Sequence, residues 1–265
     1  MKIEKLFTHA HFIFIISTML KVMSANIRFN TPNDGDNAWP NRKNLLADKI
    51  KHLGLDIFGT QEGREPQLRE LEALVEHDIL DTNRDWIDER MYPCLYQKGV
   101  HFINSGDIWL SETPYKAGTK SFDSMFPRLA TWGESQSFFI CNVHLDHDKE
   151  YTREEQARVL CNELKTLNRS NKPFILMGDF NTDPKSNVYD FITSALNLID
   201  PWKTHKLREE SSFHLFKGHY AEGYRIDWIL HSPEIKSHHI QLLKDEDNGV
   251  YLSDHFPVYC ELELK

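Results

Sequence analysis

The sequence predicts an α/β protein in which two sheets pack face to face with helices outside. Three observations predict it: short apolar runs of strand character alternate with amphipathic helical stretches, several of those runs stop at a polar insertion, and no linker interrupts the 265 residues. With 40% hydrophobic residues and no Pro-rich, Ser/Gly-rich, low-complexity or repeated segment, the chain can bury a substantial core as one unit.

The elements follow in order. Leu20 to Phe29 reads as a strand, and Asn41 to Leu53 as a helix whose inner face is Leu45, Leu46, Ile50 and Leu53. Asp56 to Thr60 is a second strand, and Leu68, Leu71, Leu74 and Val75 mark a second amphipathic helix packed beside it. Strand-like runs come near Ile108 to Ser111, Leu129 to Gly133 and Phe138 to Val143, and the amphipathic stretch Thr152 to Leu167 precedes the apolar run Phe174-Ile175-Leu176-Met177. Ahead of Leu20 the reading is mixed. Lys2 and Lys5 are followed by Phe12-Ile13-Phe14-Ile15-Ile16, as in a secretory signal, yet no small-x-small cleavage site follows and the run is too short to span a bilayer as a helix. Residues 1–19 are expected to be a poorly ordered or non-native extension, with a degenerate signal peptide as the alternative.

The polar insertions carry the chemistry. Gly178-Asp179-Phe180-Asn181 directly follows the apolar run 174–177, so a carboxylate and a carboxamide two residues apart are expected to project to one side of a strand end, where loops are free to build sites. Leu55-Asp56-Ile57-Phe58-Gly59-Thr60-Gln61-Glu62 also stops at a carboxylate. Tyr224-Arg225-Ile226-Asp227-Trp228-Ile229-Leu230 embeds an Asp between apolar neighbours, and a buried carboxylate needs a dedicated partner. Ser253-Asp254-His255-Phe256-Pro257-Val258 sets an acid and an imidazole side by side at the start of the last apolar segment.

In chain order, Asn26 within Met23-Ser24-Ala25-Asn26-Ile27-Arg28, the pair Gln61-Glu62, His144 within Asn142-Val143-His144-Leu145-Asp146, then Gly-Asp-Phe-Asn, Arg225-Ile226-Asp227 and Ser253-Asp254-His255 resemble the endonuclease/exonuclease/phosphatase superfamily, the deoxyribonuclease-I-like metal-dependent phosphoesterases. The resemblance runs from about Leu20 to the C-terminus. Stretches such as Trp39-Pro40-Asn41-Arg42 and Arg128-Leu129-Ala130-Thr131-Trp132 are similar to a bacterial subgroup whose substrates are mostly unassigned. It implies a four-layer α/β/β/α sandwich of two packed mixed sheets with outer helices, residues 20–265 forming the catalytic domain.

A phosphate ester resists attack because its oxygens are anionic, so hydrolysis calls for a cation, a means of activating water and a donor for the developing charge. Oxygen-rich ligands without a Cys or His cluster select a hard cation, and Mg²⁺ or Mn²⁺ is expected. Glu62 is the first choice as direct ligand, with Asn26 and Asp254 completing the metal region directly or through water. By resemblance, Asp179 orients or deprotonates the attacking water and Asn181 holds water or phosphate in line. Asp227 is expected to orient His255 and favour its imidazolium form, as the base or, preferably, as a donor to the phosphate. His144 is a second phosphate donor, and His147 and Asp148 adjoin it. Arg28 and Arg128 are candidate phosphate or leaving-group contacts, and Trp39 either stacks on a substrate ring or caps the core. Glu89, Arg90 and Tyr92 fall in a region where relatives carry substrate-facing residues.

The expected activity is hydrolysis of a phosphate mono- or diester. A catalytically silent member binding a phospho-ligand or protein through the same cleft is the alternative class, and a nuclease on single-stranded nucleic acid the alternative within enzymes. A net charge of −9 and the absence of a basic stripe weigh against duplex DNA and towards a phosphorylated small molecule or single strand. Arg42, Lys43, Lys49 and Lys51, and Lys203, His205, Lys206 and Arg208, read as solvated faces. Cys94, Cys141, Cys161 and Cys260 lack paired metal-ligand spacing and read as small buried hydrophobes of a reducing compartment. A monomer in the cytoplasm is the expected state, with a periplasmic or secreted location following if the N-terminus is a signal; no transmembrane segment is expected.

Overall fold

The structure, a computed structural model, describes residues 18–221 and 223–264. The expected extension therefore lies, through residue 17, outside the described residues, and the first strand starts at Thr18 rather than Leu20. In chain order the elements are β1 (Thr18–Asn26), α1 (Trp39–Leu53), β2 (Ile57–Arg64), α2 (Glu65–Leu74), β3 (Asp78–Ile79), β4 (Met91–Gln97), β5 (Phe102–Trp109), β6 (Leu129–Ser135) and β7 (Phe139–His144). There follow α3 (Glu150–Leu167), β8 (Phe174–Asp179), α4 (Asn187–Ala195), α5 (Pro201–Thr204), β9 (Asp227–His231), β10 (Ile235–Leu242), β11 (Glu246–Asp247), β12 (Val250–Tyr251) and β13 (Val258–Leu264).

One sheet runs β10-β13-β1-β2-β4-β3 and the other β5-β6-β7-β8-β9; both are mixed, with β1–β2 and β7–β8 the parallel pairs. Strand alternation divides the interior into three apolar layers. Met23, Ala25 and Phe58 pack outward against Leu46, Ile50, Leu68 and Leu71 of α1 and α2. Val143, Leu176 and Leu230 do the same against α3 and α4. Between the sheets, Val22, Ile57 and Leu95 meet Ile140, Ile175, Met177 and Ile229. The expected four-layer sandwich is the observed one.

Local details correct several expectations. β1 stops at Asn26 instead of reaching Phe29, because Arg28 takes a left-handed backbone (φ 51°). α1 begins at Trp39, with Pro40 in the first turn, where a missing N–H costs nothing. Arg42 is fully buried, not part of a solvated face: its guanidinium donates to the carbonyls of Arg28 (2.9 Å), Asn37 (2.9 Å) and Leu252 (3.1 Å), tying together the segments that follow β1 and precede Asp254. α2 ends at Leu74, and Val75 is its extended cap. β4, β10 and α4 were not anticipated, although α4 buries Val188, Tyr189 and Ile192 at helical spacing. All four cysteines are buried and free. Among the described residues no helix is long and apolar enough to cross a membrane.

Gly178 shows how tightly the site end of β8 is built. Its φ is 148°, and a Cβ there would lie 2.0 Å from the Val143 carbonyl oxygen on β7. No side-chain rearrangement relieves a clash with backbone. Gly178→Ala is expected to destabilise the protein by about 4 kcal/mol, read as a lower urea midpoint at unchanged slope; a midpoint within experimental error of the parent would refute the argument.

Candidate active site

The layer between the sheets is apolar through most of its length and turns polar at one end. On β7 the inward series Ile140, Asn142, His144 ends in an imidazole, and on β8 the series Ile175, Met177, Asp179 ends in a carboxylate. His144 pairs across the sheet with Asp179, and Asp179 with Asp227, the first residue of β9, so three site residues form one cross-strand row. The facing sheet contributes Asn26, opposite Gln61. A bulge between Thr60 and Gly63 shifts the register of β2, and within it Glu62 has φ 65°, a conformation costly for a residue with a side chain. Gln61 itself stays internal, its amide donating to Asn142 Oδ1 (2.6 Å) and Ser24 Oγ (3.2 Å) across the layer.

The side chains converge. Asn26 Nδ2 donates to Glu62 Oε1 (3.1 Å) and Asp179 Oδ2 (2.9 Å), while its oxygen accepts the Arg28 N–H (3.0 Å). Asn26, expected in the metal region directly or through water, presents its nitrogen here and joins two carboxylates. His144 Nε2 lies 3.6 Å from Asp179 Oδ2. Asp227 Oδ2 lies 2.8 Å from His255 Nδ1, the partner its burial requires, and Asp227 Oδ1 has no partner among the described residues. Asn181, also left-handed (φ 51°), does not continue the strand alternation; its N–H donates to Asp179 Oδ1 (2.9 Å) and its amide to Leu145 O (3.1 Å). The segment bearing Phe213 and Leu215 clamps the dyad: Ser212 Oγ accepts the N–H groups of Ile226 and Asp227, and the Asp254 carbonyl accepts those of His214 and Leu215.

Burial and neighbouring charge set the protonation states. Asp179 is pushed up to about 7 by burial and then by the charge of Asp227, against the pull of His255, Asn26 and Asn181. Burial works against the His255 imidazolium, but the charge and hydrogen bond of Asp227, helped by Asp179 and Asp254, outweigh it and raise the group to about 10. His144 is driven well below its ordinary value by burial and by Arg128, and is neutral. Burial also raises Asp254. Carboxylates at Glu62, Asp179 and Asp254 share the cavity wall with Arg28, Arg64, Arg90, Arg128 and the His255 imidazolium, Arg64 being paired with Glu89 (2.7 Å). The oxygen donors of Glu62 and Asp254 suit a hard divalent cation.

Glu62, His144, Asp179, Asn181, Asp254 and His255 line a cavity of about 1040 Å³. Arg28 lies there beside Asp34 (3.3 Å), Asp254 (3.8 Å) and Glu62 (3.9 Å), so it already neutralises the acids. Arg128, His147, Glu89 and Arg90 line it too. Trp39 does not: its ring is 1% exposed in the α1 core and its Nε1 donates to Glu70 (2.9 Å), so it caps the core and touches no substrate space. Tyr92 is likewise internal. Sequence reasoning missed Phe126, stacked on His147 (5.9 Å), and Phe213, packed on His255 (4.9 Å). Only their position in chain segments flanking the motifs could have suggested them.

The model of the endonuclease/exonuclease/phosphatase family matches residues 23–255. A solved endonuclease/exonuclease/phosphatase from Bacteroides vulgatus is 29% identical, with a TM-score of 0.84 over 94% of this chain and 100% of that one. A mannosyl-6-phosphatase from Bacteroides thetaiotaomicron is also 29% identical, with a TM-score of 0.80 over 92% of this chain and 99% of that one. The human Nocturnin catalytic domain, crystallised with bound sulfate, shares the fold at 20% identity (TM-score 0.66, 92% of this chain and 93% of that one). No curated protein matches.

Proposed function

Because this chain belongs to the endonuclease/exonuclease/phosphatase family and is a phosphoesterase, a hydrolase of ester bonds, we propose that it cleaves the phosphate ester of a small or single-stranded substrate with the help of Mg²⁺ or Mn²⁺. The observation that carries this reading is the convergence of Glu62, Asp179, His144 and His255 on one cavity, with Asp227 hydrogen-bonded to His255 and carboxylate oxygens that suit a hard cation. Glu62 and Asp254 are the residues to hold it. Asp179, Asp227 and His255 also bring one atom each within 4.8 Å of one another, but Asp227 and His255 satisfy each other and an imidazolium cannot ligate. Bound there, a divalent cation neutralises phosphoryl charge and lowers the pKa of a ligated water.

The protein's own groups do the rest. Asp179, held by Asn26 and Asn181, orients water and takes its proton; His255, kept charged by Asp227, donates to a phosphoryl oxygen; neutral His144 donates through its N–H. Asn181, anchored by its amide nitrogen, offers its oxygen to water. The mannosyl-6-phosphatase relative supports a phosphorylated small molecule, and the acidic net charge agrees.

Purified protein with Mg²⁺ or Mn²⁺ is expected to hydrolyse p-nitrophenyl phosphate or its bis ester. A panel of nucleotides, oligonucleotides, sugar phosphates and lipid head groups that gives no turnover with either cation would sink the reading in favour of a silent binding member. The pH profile follows from the two dominant groups: kcat/KM is expected to rise as Asp179 deprotonates around pH 7 and to fall as His255 loses its proton around pH 10. Bound cation moves the lower limb further down, and a profile falling from pH 6 to 8 contradicts the assignment.

A further inference from the structure

We propose that Arg128 is the binding group for the third non-bridging oxygen of a dianionic phosphoryl group, so that the enzyme prefers phosphate monoesters to diesters. The inference rests on the hydrolase reading above and adds the class of ester.

Other buried guanidinium groups in this chain are neutralised or fully engaged. Arg84 grips Asp107 with two bonds (2.6 and 2.7 Å), Arg225 contacts Asp200 (2.7 Å) and Glu209 (2.9 Å), and Arg42 is absorbed by its backbone carbonyls. Arg128 has neither arrangement. It is 6% exposed, yet its only side-chain partners among the described residues are imidazoles: Nη1 lies 3.0 Å from both ring nitrogens of His144, and Nη2 lies 3.1 Å from His147 Nδ1. A neutral imidazole has one lone pair, so His144 can accept a single bond. Nε is buried without any partner. Burying a guanidinium costs several kcal/mol unless an anion and good acceptors offset it, and burial accordingly lowers its pKa.

Geometry says where the missing anion goes. Unlike Arg42, Arg84 and Arg225, Arg128 lines the cavity, and it is joined through His144 to Asp179, the water-positioning carboxylate. Its carbonyl is pinned by the Leu110 N–H (2.8 Å), and His147 is backed by the Phe126 ring. The head group therefore lies beside the reacting centre with N–H donors to spare; the charges of Glu62, Asp179 and Asp146 act on it, but none of the three accepts a hydrogen bond from it. Arginine suits this task because its planar fork matches phosphate oxygens.

A monoester near neutral pH presents three non-bridging oxygens sharing two negative charges; a diester presents two sharing one. His255, with a cation that Glu62 and Asp254 would hold, would serve the two oxygens common to both classes, and Arg128 serves the one that only the monoester offers. Hydrolysis itself is unchanged: water oxygen forms the new P–O bond as its proton passes to Asp179, the bond to the leaving oxygen breaks with its electron pair, that oxygen takes a proton from solvent, and the products are inorganic phosphate and an alcohol.

The test compares p-nitrophenyl phosphate with methyl p-nitrophenyl phosphate in whichever of Mg²⁺ or Mn²⁺ supports turnover. Arg128→Met is expected to lower kcat/KM on the monoester by about 100-fold, on the methyl diester by less than about tenfold, and to weaken inhibition by inorganic phosphate by at least about tenfold. Arg128→Lys, which keeps the charge and loses the fork, is expected to fall between. Equal losses on the two esters, or unchanged phosphate inhibition, overturn the proposal while leaving the hydrolase reading intact. Should Arg128→Met fail to fold, the lysine variant and the intact enzyme carry the test: inorganic phosphate must compete at least about tenfold better than dimethyl phosphate, and equal competition overturns it. If neither ester turns over with either cation, the hydrolase reading has failed, and calorimetric titration of phosphate into the protein and Arg128→Lys still decides whether Arg128 binds the anion.

Discussion

Asp179→Asn is expected to lower kcat/KM by about a thousandfold and, in the same protein, to raise stability at pH 8 in the absence of divalent cation. The activity loss follows from geometry. Asp179 is fully buried and lines the cavity, fixed by Asn26 at 2.9 Å and by the Asn181 N–H, and an amide in its place can orient water but cannot take its proton. The stability gain follows from linkage. With its folded-state value raised from 3.8 to about 7, Asp179 binds a proton more tightly folded than unfolded; that contribution is present below about 3.8 and is lost as pH rises through about 7. Above that point the folded protein carries an ionised carboxylate against burial and against Asp227, and a neutral isostere relieves it by about 1–3 kcal/mol. Urea midpoints at pH 8 measure this. A midpoint lower than that of the parent would show that Asp179 is not strained.

Asp227→Asn is expected to cost kcat/KM about a hundredfold to a thousandfold and to move the upper limb of the pH profile from about 10 down towards the ordinary histidine range. His255 is buried, and only the 2.8 Å contact with Asp227 and the flanking acids hold the imidazolium in place. The pH trend has the same sign as for Asp179, but the substitution acts in the opposite direction: a histidine raised from 6.5 to about 10 contributes stability fully present below about 6.5 and lost as pH rises through about 10. Removing the partner charge should therefore lower the melting temperature most below pH 6.5, with little difference left above pH 10. An unmoved upper limb would mean that a group other than His255 donates to the phosphate. Gly178→Ala and the Arg128 variants test independent parts of the same structure.

Whereas His144 was reached only through the family resemblance, Asp179 and Asp227 were legible because a carboxylate at the end of or inside an apolar run stands out against what surrounds it, burial being expensive. Glu62 was legible for the same reason, although the left-handed bulge that carries it was not, since bulges leave no fixed sequence mark. Trp39 follows the core-capping alternative of its two readings. Arg42 was misread on its charge: it lies four residues before Leu46, on the same inner face, and the backbone carbonyls that satisfy its guanidinium leave no mark in the sequence. Asn26 was found, but not which end of its amide faces the acids, a matter decided by the Arg28 N–H across a left-handed turn. The cavity walls at Phe126 and Phe213 come from segments with no regular pattern, where packing against His147 and His255 is decided only in three dimensions.

The cross-strand row of His144, Asp179 and Asp227 has a consequence for how the protein comes to be active. Those residues face one another only when β7, β8 and β9 are zipped in native alignment, and a slip of one residue turns each of them to the helix side. No partly mispaired species can then retain a weakened site. Recovered turnover during refolding should report correct strand alignment alone, lagging behind compaction and helix content in any molecule that collapses out of phase.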